Sequence, residues 1–345
     1  MNKHTILRSS SDQVSFSLEK KSIIILPTLL LVSFILLILG LSVGSTMIHP
    51  WTIIEQILGS GDSDYTFIIE TLRLPRMLLA FLVGAALAVS GLILQGIVRN
   101  PLASPDIIGI TGGAKVAAVL FITYFSAVDI KWVPVVAILG AGIASFVIYL
   151  LAWKKGVNPI RFVLIGIGID AGMDALVIMM LVLGPYYSTS EAYIWLAGSV
   201  YGANWFDVFS MLPWLLIFIP IAILLSRRIN LQELGDDLAT GLGSRIELDR
   251  FILVSISVAL AGSAVAFAGG IGFIGLIAPH IARKLVGRSF ASLVSVAAII
   301  GGLIVMSADV VARTVFLPLD LPAGVFVSGI GAPFFIFLLY QNRNV

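Results

Sequence analysis

Four ionisable side chains stand inside long apolar runs: Lys115, Asp170, Asp174 and Asp309. Charge at membrane depth is costly, and where it persists it marks a pathway, a proton relay or an ion pair. Asp309 and Arg313 are spaced four apart, which predicts a structural ion pair one helical turn long. Lys115 and Asp170 fall about equally deep in two neighbouring runs and are expected to pair across them, because an unpaired buried charge is expensive. A proton path through Asp170 and Asp174 is the competing reading. Other chemistry is missing. There is no GxxxxGK[ST] loop, so the chain is not expected to hydrolyse ATP by itself. No HExxH occurs, and His4, His49 and His280 are too scattered for a metal cage. The absence of cysteine removes disulfides and thiolate catalysis. No convergent catalytic group supports an enzyme, and no cofactor or metal site is expected on the chain.

The elements that must position these charges are membrane helices. Of the 345 residues, 59% are hydrophobic and 12% charged, about half the charge of a soluble domain. Apolar runs of about 20 residues recur from end to end, each long enough to cross a hydrocarbon core. Strand alternation is absent, so helices rather than a barrel satisfy the backbone. The net charge of +2 gives no reason to expect nucleic acid. Residues 1–22 read as a flexible polar tail, and residues 23–345 as the transmembrane domain. Spans are expected at about 23–45, 73–98, 106–126, 132–152, 162–184, 205–225, 251–268, from the Gly269–Gly272 turn to about 286, 291–312 and 323–340. A short amphipathic segment at 50–58 and a short helical patch near 192–200 lie between spans. The expected class is therefore an all-α integral membrane protein of about ten spans. Gly91, Gly109, Gly112, Gly113, Gly166, Gly168 and Gly172 are expected to let helices approach closely.

Ten spans put both termini on one side. Of the 21 Lys and Arg, only Arg73, Arg76, Lys131 and Arg313 fall on the other side, with Lys115 inside a span. Basic residues favour the cytoplasm, so the termini are expected there. The outside arginines at helix ends read either as snorkelling side chains or as a docking patch for an acidic partner, since arginine binds carboxylates bidentately. On the inner side, residues Ser226–Arg250 form a polar island with Arg227, Arg228, Arg245 and Arg250 among Glu233, Asp236, Asp237, Glu247 and Asp249. The stretches opened by Arg76 and Arg250 echo each other weakly and would run in opposite directions, the pattern of an inverted repeat.

Four stretches resemble the iron–siderophore/cobalamin permease family of ABC importers. They are Arg73–Ala114 (RLPRMLLAFLVGAALAVSGLILQGIVRNPLASPDIIGITGGA), Gly269–Arg283 (GGIGFIGLIAPHIAR), Ala308–Arg313 with Leu321–Leu339, and the island's L-G-D-x-x-A-x-x-L-G pattern. The resemblance covers nearly everything after about residue 25. It implies the type II importer fold of the cobalamin permease kind, a permease dimer, of the chain with itself or with a paralogue, in the cytoplasmic (inner) membrane, and two cytoplasmic ATPase subunits that carry ATP and magnesium. It places the ATPase coupling segment at Leu231–Gly243, with Leu234, Gly235, Asp236, Asp237, Ala239, Leu242 and Gly243. It implies an extracytoplasmic binding protein whose glutamates meet Arg73, Arg76 and Arg313. The inner gate falls at Asn158, Pro159 and Ile160, where Pro159 replaces a small hydroxyl residue. The path is expected along the fifth and tenth spans, with Asp170, Met173 and Asp174 as candidates. Lys115 departs from the small apolar residue usual there, so it either favours an anionic chelate or pairs within the membrane. The implied cargo is a ferric siderophore, with heme or cobalamin as the alternative inside the family. A proton-coupled secondary transporter is the alternative outside it.

Overall fold

A computed structural model of the chain describes residues 4–8, 15–59, 64–106, 108–125, 127–154, 158–287, 289–317 and 319–341. Parts of three expected features lie outside these residues: the polar tail, the loop after Gly59 and the loop containing Lys155. Within the described part of the tail there is a two-stranded antiparallel ribbon. Strand β1 (His4–Arg8) pairs with β2 (Ser15–Glu19), with His4 opposite Glu19. Everything else that is regular is helical.

The helices are α1 (Lys20–Ser42), α2 (Pro50–Ile57), α3 (Leu74–Val98), α4 (Ile110–Tyr124), α5 (Val133–Ala152), α6 (Pro159–Leu183) and α7 (Tyr186–Leu196). They continue with α8 (Trp205–Leu224), α9 (Ser226–Glu233), α10 (Asp236–Gly241), α11 (Ile246–Ala268), α12 (Ile274–Val286), α13 (Phe290–Thr314) and α14 (Ala323–Gln341). Their bounds follow local chemistry. Proline stands in the first turn of α2, α3, α5 and α6, where its missing N–H costs nothing. Asn158 caps α6 by accepting from the N–H groups of Ile160 and Arg161. Asn204 and Asp207 form a capping box on α8, which closes two otherwise unpaired backbone donors. A π-helical stretch, Phe67–Arg73, runs straight into α3, so this rod is longer than the span read from hydropathy. Helix α7 begins six residues before the expected patch. Pro185 sets its start, and Gly198, at φ 75°, follows its end.

Among the described residues, seven helical segments are long and apolar enough to cross a membrane: Lys21–Ser42, Phe67–Val98, Ile130–Ala152, Pro159–Leu183, Trp205–Leu224, Ile246–Ala268 and Phe290–Thr314. Two shorter apolar helices, Ile110–Tyr124 and Ala323–Phe337, accompany them. The chain is a multi-pass membrane protein. The α3 window is 83% buried and the α6 window 17%, so α3 is the axis of the bundle and α6 lies at its edge. Helices α3, α11 and α13 share the core, and small residues make this possible. A side chain at Gly84 would strike the Gly301 backbone, and one at Gly91 the Gly275 backbone. Without strong apolar drive in lipid, such backbone approach supplies van der Waals contact. Gly109, Gly112, Gly113 and Gly166 are likewise crowded, whereas Gly168 and Gly172 meet nothing within 4 Å. The expected tight approach at those two positions is absent, because α6 turns that face away from the rest of this chain.

Candidate functional site

The polar island folds into two short helices. Gly235, at φ 111°, turns the chain between α9 and α10, and Gly243, at φ 84°, lets it leave. Helix α10 has only six residues, too few to be stable alone. Ala239 is its one buried side chain. Leu234, Leu238 and Leu242 are 56%, 62% and 63% exposed. Leu238 and Leu242 stand one turn apart, and Leu234 lies across the Gly235 turn from them, so exposed leucines flank Asp236 and Asp237 on both sides. Asp236 is tied to two arginines. Arg99, at the end of α3, forms an ion pair with it, and Arg250 Nη2 of α11 lies 3.2 Å and 3.3 Å from its two carboxylate oxygens. Partial burial alone would raise the Asp236 carboxyl; the Arg250 and Arg99 guanidiniums outweigh it and hold it below the ordinary carboxylate range. A pocket of about 650 Å³ is lined by Arg99, Asn158, Pro159, Ile160, Leu234, Gly235, Asp236, Asp237 and Leu238. The structure thus brings the expected coupling segment and the expected gate residues to one place.

The intramembrane charges meet differently from expectation. Lys115 Nζ lies 3.7 Å from Asp174 Oδ1, so its ion-pair partner is Asp174 and not Asp170. The reason is geometric. Gly112 leaves room for the Asp170 carboxylate against α4, one turn away from the ammonium, while Asp174 is one turn further along α6 and level with it. Asp170 Oδ1 is buried and has no hydrogen-bond partner among the described residues. Met173 touches the same site, its sulfur 3.2 Å from where a Gly112 side chain would begin. A third carboxylate, Asp106, joins from the loop after α3. It accepts hydrogen bonds from Thr111 and from the N–H of Phe273 and feels the charge of Lys115. Asp174 is 52% exposed on the open face of α6. A charge so placed cannot face lipid cheaply.

The three arginines read as an outward patch are 6%, 8% and 8% exposed at Arg73, Arg76 and Arg313. Each is held by partners within the chain. Arg73 donates to the carbonyls of Leu41 (2.6 Å), Ser42 (3.3 Å) and Thr46 (2.7 Å). Arg313 donates to the Gly40 carbonyl. The Gly40, Leu41 and Ser42 carbonyls end α1 and have no partner within the helix, so the two arginines act as its C-cap, and Arg73 also ties down Thr46 in the loop beyond. Arg76 is clamped by two carboxylates. Its Nε and Nη2 reach Asp309 at 2.8–3.1 Å, and its Nη1 and Nη2 reach Asp320 at 2.7 Å and 2.8 Å. Its guanidinium also lies 5.4 Å from the Tyr201 ring centre. Arg313 Nε stands 3.7 Å from Asp309 Oδ2, so the four-residue spacing does bring that pair together, but Arg76 is the closer partner. All three arginines, with Tyr201 and Asp320, line a groove of about 580 Å³.

Sequence reasoning missed Arg99, Asp106, Arg250 as a ligand of Asp236, and Asp320. Arg99 and Asp106 carry a faint signal, since each sits in a proline-rich loop between apolar runs. Asp320 gives none, because its partner is 244 positions away. Among the described residues, no group of three or more His, Cys, Asp or Glu is arranged to hold a metal ion.

An edge helix with an open charged face, a closely packed α3–α11–α13 core and a short helix pair packed beside it suit a membrane transport permease. Residues 29–341 match the model of the FecCD transport family, and the chain belongs to that family. It is 48% identical over 316 residues to the achromobactin transport system permease protein CbrC of Dickeya dadantii, covering 91% of this chain and 90% of the relative. It is 45% identical over 332 residues to the probable siderophore transport system permease protein YfhA of Bacillus subtilis, covering 94% and 97%. A solved inward-facing structure of a metal-chelate type ABC transporter superposes with a TM-score of 0.81 at 30% identity, covering 93% of this chain and 99% of that one.

Proposed function

We propose that this chain is the membrane-spanning subunit of an ATP-driven importer of a ferric siderophore. It crosses the cytoplasmic membrane ten times, using the seven long helices together with α4, α12 and α14, with both termini inside. The stretches opened by Arg76 in α3 and by Arg250 in α11 run in opposite directions as parts of a weak inverted repeat. Helices α9 and α10 seat on a separate ATPase subunit, which binds ATP and magnesium, and a second permease subunit faces α6 and α14. An extracytoplasmic binding protein delivers cargo to the face that carries Tyr201, Asp320 and the three arginines. Since those arginines are already paired, their part is to shape the floor of that face, and a docking carboxylate would have to compete with Asp309 and Asp320.

The observation that carries the reading is the exposure of Leu234, Leu238 and Leu242, the first two lining one pocket with Asn158–Ile160. Three exposed leucines within one short polar stretch suit a surface that a partner covers. The siderophore and metal-chelate descriptions of the similar proteins support the cargo class. The Lys115–Asp174 pair on the open face of α6 suits a wetted path between two subunits. Here the ammonium offsets carboxylates that would otherwise repel an anionic chelate. In proteoliposomes holding the permease pair, the ATPase and the binding protein, radiolabelled ferric achromobactin and ferric hydroxamates are to be offered with internal ATP. Uptake that needs ATP and ignores a proton uncoupler is expected. Uptake that persists without the ATPase and collapses on uncoupling would overturn it, and uptake of heme or cobalamin alone would redirect the cargo.

A further inference from the structure

Resting on the reading of α9–α10 as the ATPase-contacting segment, we propose that Arg99 and Arg250 are positioning residues, and that Asp236, held between them, is the pin through which displacement of α10 reaches α3, α11 and the gate. Helix α10 has little else to transmit force with. Its buried anchor is Ala239 alone. Its two ends are glycines at φ 111° and φ 84° with nothing within 4 Å of a built side chain, so both ends are free to hinge. Between the hinges stands one charged tether. Arg99 Nε holds the Gln232 carbonyl, at the end of α9, at 2.8 Å, while its Nη2 holds Asp236. One guanidinium thereby spans the α9–α10 junction, a task suited to a planar fork and not to an ammonium.

The tether is rigid at its root. Arg99 takes the left-handed conformation, φ 54° and ψ 34°, as the cap of α3, a backbone state that a non-glycine residue adopts only where its surroundings enforce it. Arg250 has 1% of its side chain exposed and reaches Glu247 at 3.9 Å as well as Asp236. It is thus fixed in the first turns of α11, a core helix. Arg99 and Ile160 line one pocket, so movement of the junction is felt where α6 begins.

The chain has no cysteine, which makes a single reporter clean. Leu164→Cys places a thiol on the exposed face of α6, about one turn from the gate. With the ATPase bound, its reaction with a water-soluble maleimide is compared between nucleotide-free and ATP–vanadate states. A nucleotide-dependent change of about fivefold or more is expected with Arg99 intact. In Arg99→Gln the change is expected to vanish while the complex still assembles and still hydrolyses ATP. Hydrolysis continuing without movement at α6 is a split that general loss of structure would not produce. A full nucleotide response in Arg99→Gln overturns the pin. If the unsubstituted complex itself gives no response or never binds the ATPase, the coupling reading fails first. Where Arg99→Gln does not accumulate, Arg99→Lys decides, since it keeps the charge and loses the fork. A diminished response supports the clamp, and an undiminished one overturns it.

Discussion

Arg76 makes five charge-assisted hydrogen bonds to Asp309 and Asp320, and the Asp309 side chain is fully buried. Removing one partner of such a pair strands the other in a medium that cannot solvate it. Arg76→Ala is expected to cost about 3–5 kcal/mol, read as a lowered melting temperature in detergent and poor membrane accumulation. The exposed pair of Lys131 with Asp129 is the contrast, where Lys131→Ala should change stability by about 1 kcal/mol or less. Equal effects of the two would contradict the buried network. Asp236 gives a second prediction at this scale. Its folded carboxyl is held low by Arg250 and Arg99 against the opposing effect of burial. A depressed folded value gives stability that is present above the unfolded value of about 3.9 and is lost as pH falls through the lower folded value. Hydrogen exchange of α10 should therefore show no tether-linked loosening between about pH 8 and pH 5. Loosening that sets in near neutrality would contradict the ion-pair assignment.

Helices depend on how closely their neighbours can come. Gly84→Ala sets a methyl group on the Gly301 backbone and must spread α3 from α13. Overpacking of this kind costs about 1–3 kcal/mol, measurable as a lower melting temperature. Gly172→Ala meets open space and should leave the melting of the single chain unchanged while weakening its pairing with a second permease subunit, as seen by crosslinking across α6. Most of this helical layout is legible in the sequence, because a 20-residue apolar run leaves the backbone no alternative in lipid. The spans near 132–152, 205–225 and 323–340 match their helices to within a residue. The π-helical extension before α3 is not legible, since Glu70 and Arg73 dilute its hydropathy. Nor is the pairing of His4–Arg8 with Ser15–Glu19. For the site, sequence spacing brings out Asp309 with Arg313 and the island as a structured unit. It cannot reveal that Arg76, 233 positions away, is the nearer partner of Asp309. Nor does it show that the three arginines are buried and paired, because charge bias locates a side of the membrane and says nothing about burial. Lys115 pairs with Asp174 and not with Asp170 for a similar reason. Depth along two helices is readable from sequence, whereas which face each carboxylate takes depends on the space left by Gly112.

At the scale of the whole molecule, one face is unfinished. Helix α6 carries Asp174 and two open glycines on a surface that this chain does not cover, and α9–α10 lift three leucines away from the bundle on the side of the gate. A permease that works in a larger assembly accounts for both. The direct test is capture of the ATPase subunit by the detergent-purified permease, with Leu234→Glu, Leu238→Glu and Leu242→Glu introduced together beside an unchanged control. Loss of most ATPase capture, with the melting temperature of the permease unaltered, is the predicted result. Undiminished capture by the charged variant would contradict the account.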